Sequence, residues 1–166
     1  MPFEETTCEI LSQASRIIRD HPQLANISRL HITHRVVHFS SNQLTRVVNE
    51  IGLLFNSLGP LERLIISHCD VHVYLTPFLH PQEHHSTERL VTFPPVKELA
   101  ILHPMSLARG DSICTEAILG LARLQHALGV PFERVTVCME TLPTTLFAEG
   151  LGQWVGVVNC YEERDY

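Results

Sequence analysis

Charge is scarce in this chain. Only 18% of its 166 residues are Asp, Glu, Lys or Arg, against roughly 25% in ordinary globular domains. Together with 45% apolar residues, this excludes the highly charged, weakly hydrophobic composition of disordered chains. Basic runs are missing as well: nowhere do four Lys or Arg follow one another, and the formal net charge is −6. A general nucleic-acid binder needs a basic stripe to displace counterions, so that class is excluded. No segment reaches the ~18 consecutive apolar residues of a membrane helix. Cys-x-x-Cys spacing is absent, and the five cysteines (Cys8, Cys69, Cys114, Cys138, Cys160) are scattered and odd in number. They read as reduced thiols and not as a disulfide framework. The first residues, Met1-Pro2-Phe3-Glu4-Glu5, are acidic and lack the basic-then-apolar form of a signal peptide. The expectation is a soluble protein of the cytoplasm or nucleus, with no membrane partner.

Catalytic signatures are also lacking. Gly-x-Ser-x-Gly, Walker-type and Gly-x-Gly-x-x-Gly phrases do not occur, so nothing points to a hydrolase, nucleotide or dinucleotide site. No enzyme activity and no cofactor are expected.

What the chain does have is a repeat. Leu58-Gly59-Pro60-Leu61-Glu62-Arg63-Leu64-Ile65-Ile66 nearly recurs as Leu128-Gly129-Val130-Pro131-Phe132-Glu133-Arg134-Val135-Thr136-Val137. Further versions are Ile27-Ser28-Arg29-Leu30-His31-Ile32 and Pro95-Val96-Lys97-Glu98-Leu99-Ala100-Ile101. All fit apolar-x-x-apolar-x-apolar. Their middle apolar residues, Leu30, Leu64, Leu99 and Val135, are 34, 35 and 36 residues apart. A weaker fifth copy is Val155-x-x-Val158-x-Cys160. The alternation is the period-2 mark of a strand with one buried face.

Helical spacing precedes the second and fourth strands. Leu44, Val47, Val48, Ile51, Leu54, Phe55 and Leu58 form one stripe, with Ser41 or Asn42 as cap and Gly59-Pro60 as stop. Ile113, Ala117, Leu121, Leu124 and Leu128 form another, opened by Asp111 and ended by Gly129-Val130-Pro131. A first helix is expected over Glu5 to Arg19 with Ile10, Leu11, Ala14, Ile17 and Ile18 inward. Residues 68–95 carry no helical period and read as an irregular loop, with a short strand at Val71 to Leu75. Helix–turn–strand units at a steady period predict one α/β domain over residues 1–166. The expected form is a leucine-rich-repeat-like solenoid arc, with parallel strands on one face and helices on the other. An ordinary α/β sandwich is the alternative.

The pattern resembles the leucine-rich-repeat portion of fungal F-box proteins, those of mushroom-forming fungi in particular. The first likeness runs from Ile17-Ile18-Arg19-Asp20-His21-Pro22-Gln23-Leu24-Ala25-Asn26 into the strand Ile27-Ser28-Arg29-Leu30-His31-Ile32. It is similar to the family's helix end, Pro-x-Leu-Ala and first strand. The second is the helix-to-strand transition Leu128-Gly129-Val130-Pro131-Phe132-Glu133-Arg134-Val135. The resemblance implies a substrate receptor for ubiquitin ligation. Nothing in residues 1–26 resembles the F-box itself, so binding to the Skp-type adaptor is carried over to no residue. The chain reads as the receptor half without the ligase-coupling half, a truncated paralogue or gene fragment.

Two sets of side chains stand out as sites. In the repeat register, Arg29, Arg63, Glu98 and Arg134 stand one before each core residue, and His31, Ile65, Ala100 and Thr136 one after. Stacked strands align them into ladders ~5 Å apart. Arg29, Arg63 and Arg134, with His31 and Ile65, form a contact strip for an acidic or aromatic protein partner; the ordinary alternative is a solvated charged row. The second set comes from the eleven histidines. His34, His68 and His103 share one repeat position and predict a ladder that binds metal or responds to protons. Against it stands the plain reading of structural histidines at strand ends. Cys69 falls where leucine-rich repeats place a residue bonded to neighbouring backbone, and reads as a buried structural thiol. Trp154 reads as closing the end of the core. An eroded fragment without selected activity is the remaining alternative.

Overall fold

Each apolar-x-x-apolar-x-apolar phrase becomes a strand. The computed structural model describes residues 2–33, 41–79, 93–104, 111–139 and 145–162. In chain order it holds α1 (Pro2–Asp20), a 3-10 turn (Pro22–Asn26), β1 (Arg29–Thr33), α2 (Ser41–Asn56) and β2 (Leu61–Ser67). There follow α3 (Val71–Leu79), β3 (Val96–Leu102), α4 (Asp111–Ala127), β4 (Arg134–Met139), α5 (Thr145–Gly152) and β5 (Val157–Glu162). The five strands form one parallel sheet in the order β1-β2-β3-β4-β5. The architecture is α/β, as the repeat predicts.

The register follows the repeat without a slip. Leu30 is opposite Leu64, Leu64 opposite Leu99, Leu99 opposite Val135, and Val135 opposite Val158. The weak fifth copy is therefore a real strand. Spacings of 34 to 36 residues are absorbed outside the strands, because a one-residue slip would turn every core side chain to the wrong face. Leu64, Ile66, Leu99, Ile101, Val135 and Val137 are buried in one cluster with the inward residues of the helices. Neighbouring helices touch in chain order, α1 on α2, α2 on α3, α3 on α4 and α4 on α5. Phe55, Phe78, Phe93 and Phe132 run through this core with ring centroids 4.9 to 6.3 Å apart in successive contacts. Aromatic pairs at such distances add to simple area burial.

Helix ends match their sequence signals where these are described. After α4, Gly129 takes φ 75°, a left-handed value that glycine adopts without a Cβ penalty. Val130 N–H donates to the Gln125 carbonyl and Gly129 N–H to that of His126. These are the two bonds of a Schellman cap. The expected caps Ser41, Asn42 and Asp111 have side chains outside the described set. Gly156, just before β5, serves a different purpose. A Cβ there would lie 2.8 Å from the Glu133 carbonyl oxygen, so only glycine lets the backbone approach β4 this closely.

Three expectations need correction, and one helix is unanticipated. Residues 71–79 are helix α3, not loop or strand. Val71, Val73, Tyr74, Leu75, Pro77 and Phe78 are all buried, and a helix apolar all round shows no amphipathic period. Its start is marked by Asp70, whose Oδ1 accepts from the backbone N–H groups of His72 (3.0 Å) and Val73 (3.4 Å). The unanticipated helix is α5, which the sequence pattern does not announce. Second, Ile10 and Ile17 of α1 are 57% and 51% exposed, while Leu11, Ser15 and Ile18 face inward. The helix packs chiefly on α2, so only a narrow stripe is covered. Third, Leu128 lies in the cap after α4 and is exposed. Among the described residues no helix is long and apolar enough to cross a membrane.

Candidate functional site

Side chains alternate across a strand, so the residues flanking the core positions stand on the other face of the sheet. The predicted ladders form there. Arg29, Arg63, Glu98, Arg134 and Val157 align in one row, and His31, Ile65, Ala100, Thr136 and Asn159 in the next. Arg29, Arg63, Arg134 and His31 are exposed, Ile65 is half-buried, and the small Ala100 is buried between its neighbours. Further along the strands, Ser67 and Cys138 of the third row are buried, while Thr33 and Tyr161 at its two ends are exposed. The arginine row is thus the most accessible part of this face.

Glu98 divides the arginines. Its Oε1 accepts from Arg134 Nη1 at 3.0 Å, and its Oε2 lies 3.8 Å from Arg63 Nε. Glu62 and Glu133 form no ion pair within 4.0 Å among the described residues. Arg29 also has no carboxylate partner there. A shallow cleft of about 210 Å³ opens over this region, lined by Arg29, Glu62, Arg63, Lys97, Glu98 and Glu133. Three cations face three carboxylates in it, so the strip is a mixed-charge surface, not the basic one that three arginines alone would make.

Histidines hold the neighbouring positions. His31 Nε2 and Ser67 Oγ lie 2.7 Å apart, a bond that ties β1 to β2 across the open face. The repeat pattern does not point to it, because the partners are offset by two positions in the register. Of the predicted ladder, His68 and His103 come together: their rings stack at 5.1 Å and 13°. Both take left-handed backbone, φ 54° and 48°, which ends the strands and turns the rings alongside one another. The third member, His34, lies outside the described residues, as do His80, His84 and His85. Among the described residues no group of three or more His, Cys, Asp or Glu could hold a metal ion.

Cys69 and Trp154 take structural places. Cys69 is fully buried, and its thiol donates to the Ser67 carbonyl at 3.1 Å and reaches the Ile32 carbonyl of β1 at 3.8 Å. Tyr74 bonds to the same thiol, and burial first, then Cys69, pushes its phenol above the ordinary tyrosine range. Trp154 packs against the core cluster, with His126 edge-on at 5.2 Å and Arg123 Cζ 6.0 Å from its ring centroid. No protein-family model matches the chain, and neither a curated protein nor a solved structure matches it.

Proposed function

We propose that the chain is a non-catalytic protein-binding module, a leucine-rich-repeat-like solenoid arc that receives its partner on the open face of the strands. The observation that carries this reading is the register of Arg29, Arg63, Glu98 and Arg134 beside His31, Ile65 and Thr136 on a face that the buried core residues turn away from. The sequential strand order, helices that touch in chain order, and the Cys69 thiol directed at the preceding strand support the arc. Arg offers bidentate and stacking contacts suited to protein recognition. The resemblance to F-box proteins extends the proposal to a substrate-receptor role in ubiquitin ligation.

Affinity purification from the native cell, with wild type and Ile65→Arg in parallel, tests this. Proteins recovered on the wild type and lost on a folded Ile65→Arg variant support binding through the open face. Recovery of a Skp-type adaptor and a cullin with them supports the receptor role; a specific partner without them supports a free-standing module. Equal recovery on both proteins rejects the open face.

The stacked His68 and His103 rings favour a second reading, a metal- or proton-responsive histidine site whose third candidate, by repeat position in the sequence, is His34. Elemental analysis of the purified protein, with histidine titration by NMR, decides it. Sub-stoichiometric zinc together with two independent, ordinary titrations removes this reading.

A further inference from the structure

Charges alternate in sign along the open face except at one corner. At the start of β2, β3 and β4 the chain places Glu62-Arg63, Lys97-Glu98 and Glu133-Arg134, and the order of signs reverses from each strand to the next. Arg63, Glu98 and Arg134 therefore alternate along their row. β1 breaks the alternation: Ser28-Arg29 stands there, and Arg29 is directly opposite Arg63. Adjacent strands lie about 4.8 Å apart, and like charges directly opposite are destabilising. Glu98 is committed to the far side of Arg63, where it also holds Arg134. Arg29 has no carboxylate within 4.0 Å among the described residues, and Arg29 and Arg63 together line the cleft, with Glu62 on the same lining.

We infer that Arg29 and Arg63 form the receptor for a single carboxylate of a partner protein, presented next to an apolar side chain that settles on Ile65. The inference rests on the open face being the binding surface and specifies the chemistry of what it takes. A carboxylate fits because two guanidinium groups can share its oxygens in charge-assisted hydrogen bonds. A doubly charged phosphate fits poorly, since Glu62, Glu98 and Glu133 line the same cleft. The apolar element follows from the next row. Two residues along a strand is about 6.6 Å, which places the half-buried Ile65 and the His31 ring beside the arginine pair. Arg134 is already engaged by Glu98 and takes no part.

Random twelve-residue peptides displayed on phage and panned on the full chain test the inference. Enriched peptides carry Asp or Glu within two residues of Leu, Ile, Val or Phe. Their affinity falls about tenfold or more in Arg29→Ala, the scale of a lost charge-assisted bond, is partly retained in Arg29→Lys, and is nearly unchanged in Arg134→Ala. Arg29 is exposed and makes no ion pair among the described residues, and the Arg134–Glu98 pair is solvent-screened, so these variants fold. Enriched peptides lost in Ile65→Arg but unaffected by Arg29→Ala overturn the carboxylate assignment and leave the open-face reading standing. Peptides indifferent to both substitutions overturn both, and a failure to enrich any acidic–apolar peptide overturns the inference.

Discussion

Glu98 and Arg134 are directly opposed in the β3–β4 register, and Arg134 Nη1 donates to Glu98 Oε1 at 3.0 Å. Both side chains are a third to a half exposed, 35% and 49%, so solvent screens the pair. A double-mutant cycle between Glu98→Gln and Arg134→Gln is expected to give only ~0.2–1 kcal/mol of coupling, shrinking at high salt. Glu98→Lys should cost more than Glu98→Gln, because it turns the row from Arg29 to Arg134 into cations facing cations. Urea unfolding at low and high salt measures both. A salt-independent coupling would contradict the screened-pair account.

Gln125 is the least comfortable residue of the core. It is fully buried on α4, and its Oε1 and Nε2 have no hydrogen-bond partner among the described residues. A buried polar group left unsatisfied costs ~1–3 kcal/mol. Gln125→Leu, close in volume, is therefore expected to stabilise the fold by about 1 kcal/mol or more, read as a higher urea midpoint at unchanged slope. A lower midpoint would mean that the amide finds a partner in solution.

The strands are legible in the sequence because each carries the same short phrase. Leu30, Leu64, Leu99, Val135 and Val158 align on that phrase alone, and the two ladders follow from the alignment. The pairing of His68 with His103 is legible for the same reason, while their left-handed backbone is not. Two helices leave no periodic trace. α3 is buried on all sides and so has no polar face to give it a period. α5 is only Thr145–Gly152, with Phe147 and Leu151 as its buried residues and glycine at 150 and 152. That is too short a stripe to stand out, and glycine weakens the local signal. Exposure of Ile10 and Ile17 depends on which neighbours a helix has, which its own residues do not state.

Asp70 is the one local signal for α3. Its carboxylate accepts from two backbone N–H groups at the helix start, those of His72 and Val73, which intrahelical bonding leaves open. Asp70→Ala should destabilise the protein by ~1 kcal/mol, and Asp70→Asn by less, since Asn also caps. Hydrogen exchange at the amides of His72 and Val73 should accelerate in Asp70→Ala. If it accelerates equally in Asp70→Asn, charge at the helix end and not capping geometry is what matters.

Alkaline pH should reveal the buried phenol. Burial, and after it the neighbouring Cys69, raise the Tyr74 pKa above its ordinary 10.0, and burial likewise raises Cys160 above 9.0. A raised folded-state value means that the folded chain holds these protons where the unfolded chain has lost them. Stability then falls as pH rises, because the unfolded state binds fewer protons. The contribution is fully present below the ordinary value and is lost through the range between the unfolded and folded values. Unfolding free energy should therefore decline above about pH 9 as Cys160 begins to contribute, and more steeply above about pH 10 as Tyr74 joins it. Tyr74→Phe removes the steeper part while losing the bond to the Cys69 thiol, so it is less stable at neutral pH yet flatter above about pH 10. Urea midpoints of wild type and Tyr74→Phe across the neutral-to-alkaline range measure the difference. Parallel curves would show that the Tyr74 phenol is not raised in the folded protein and would overturn this account.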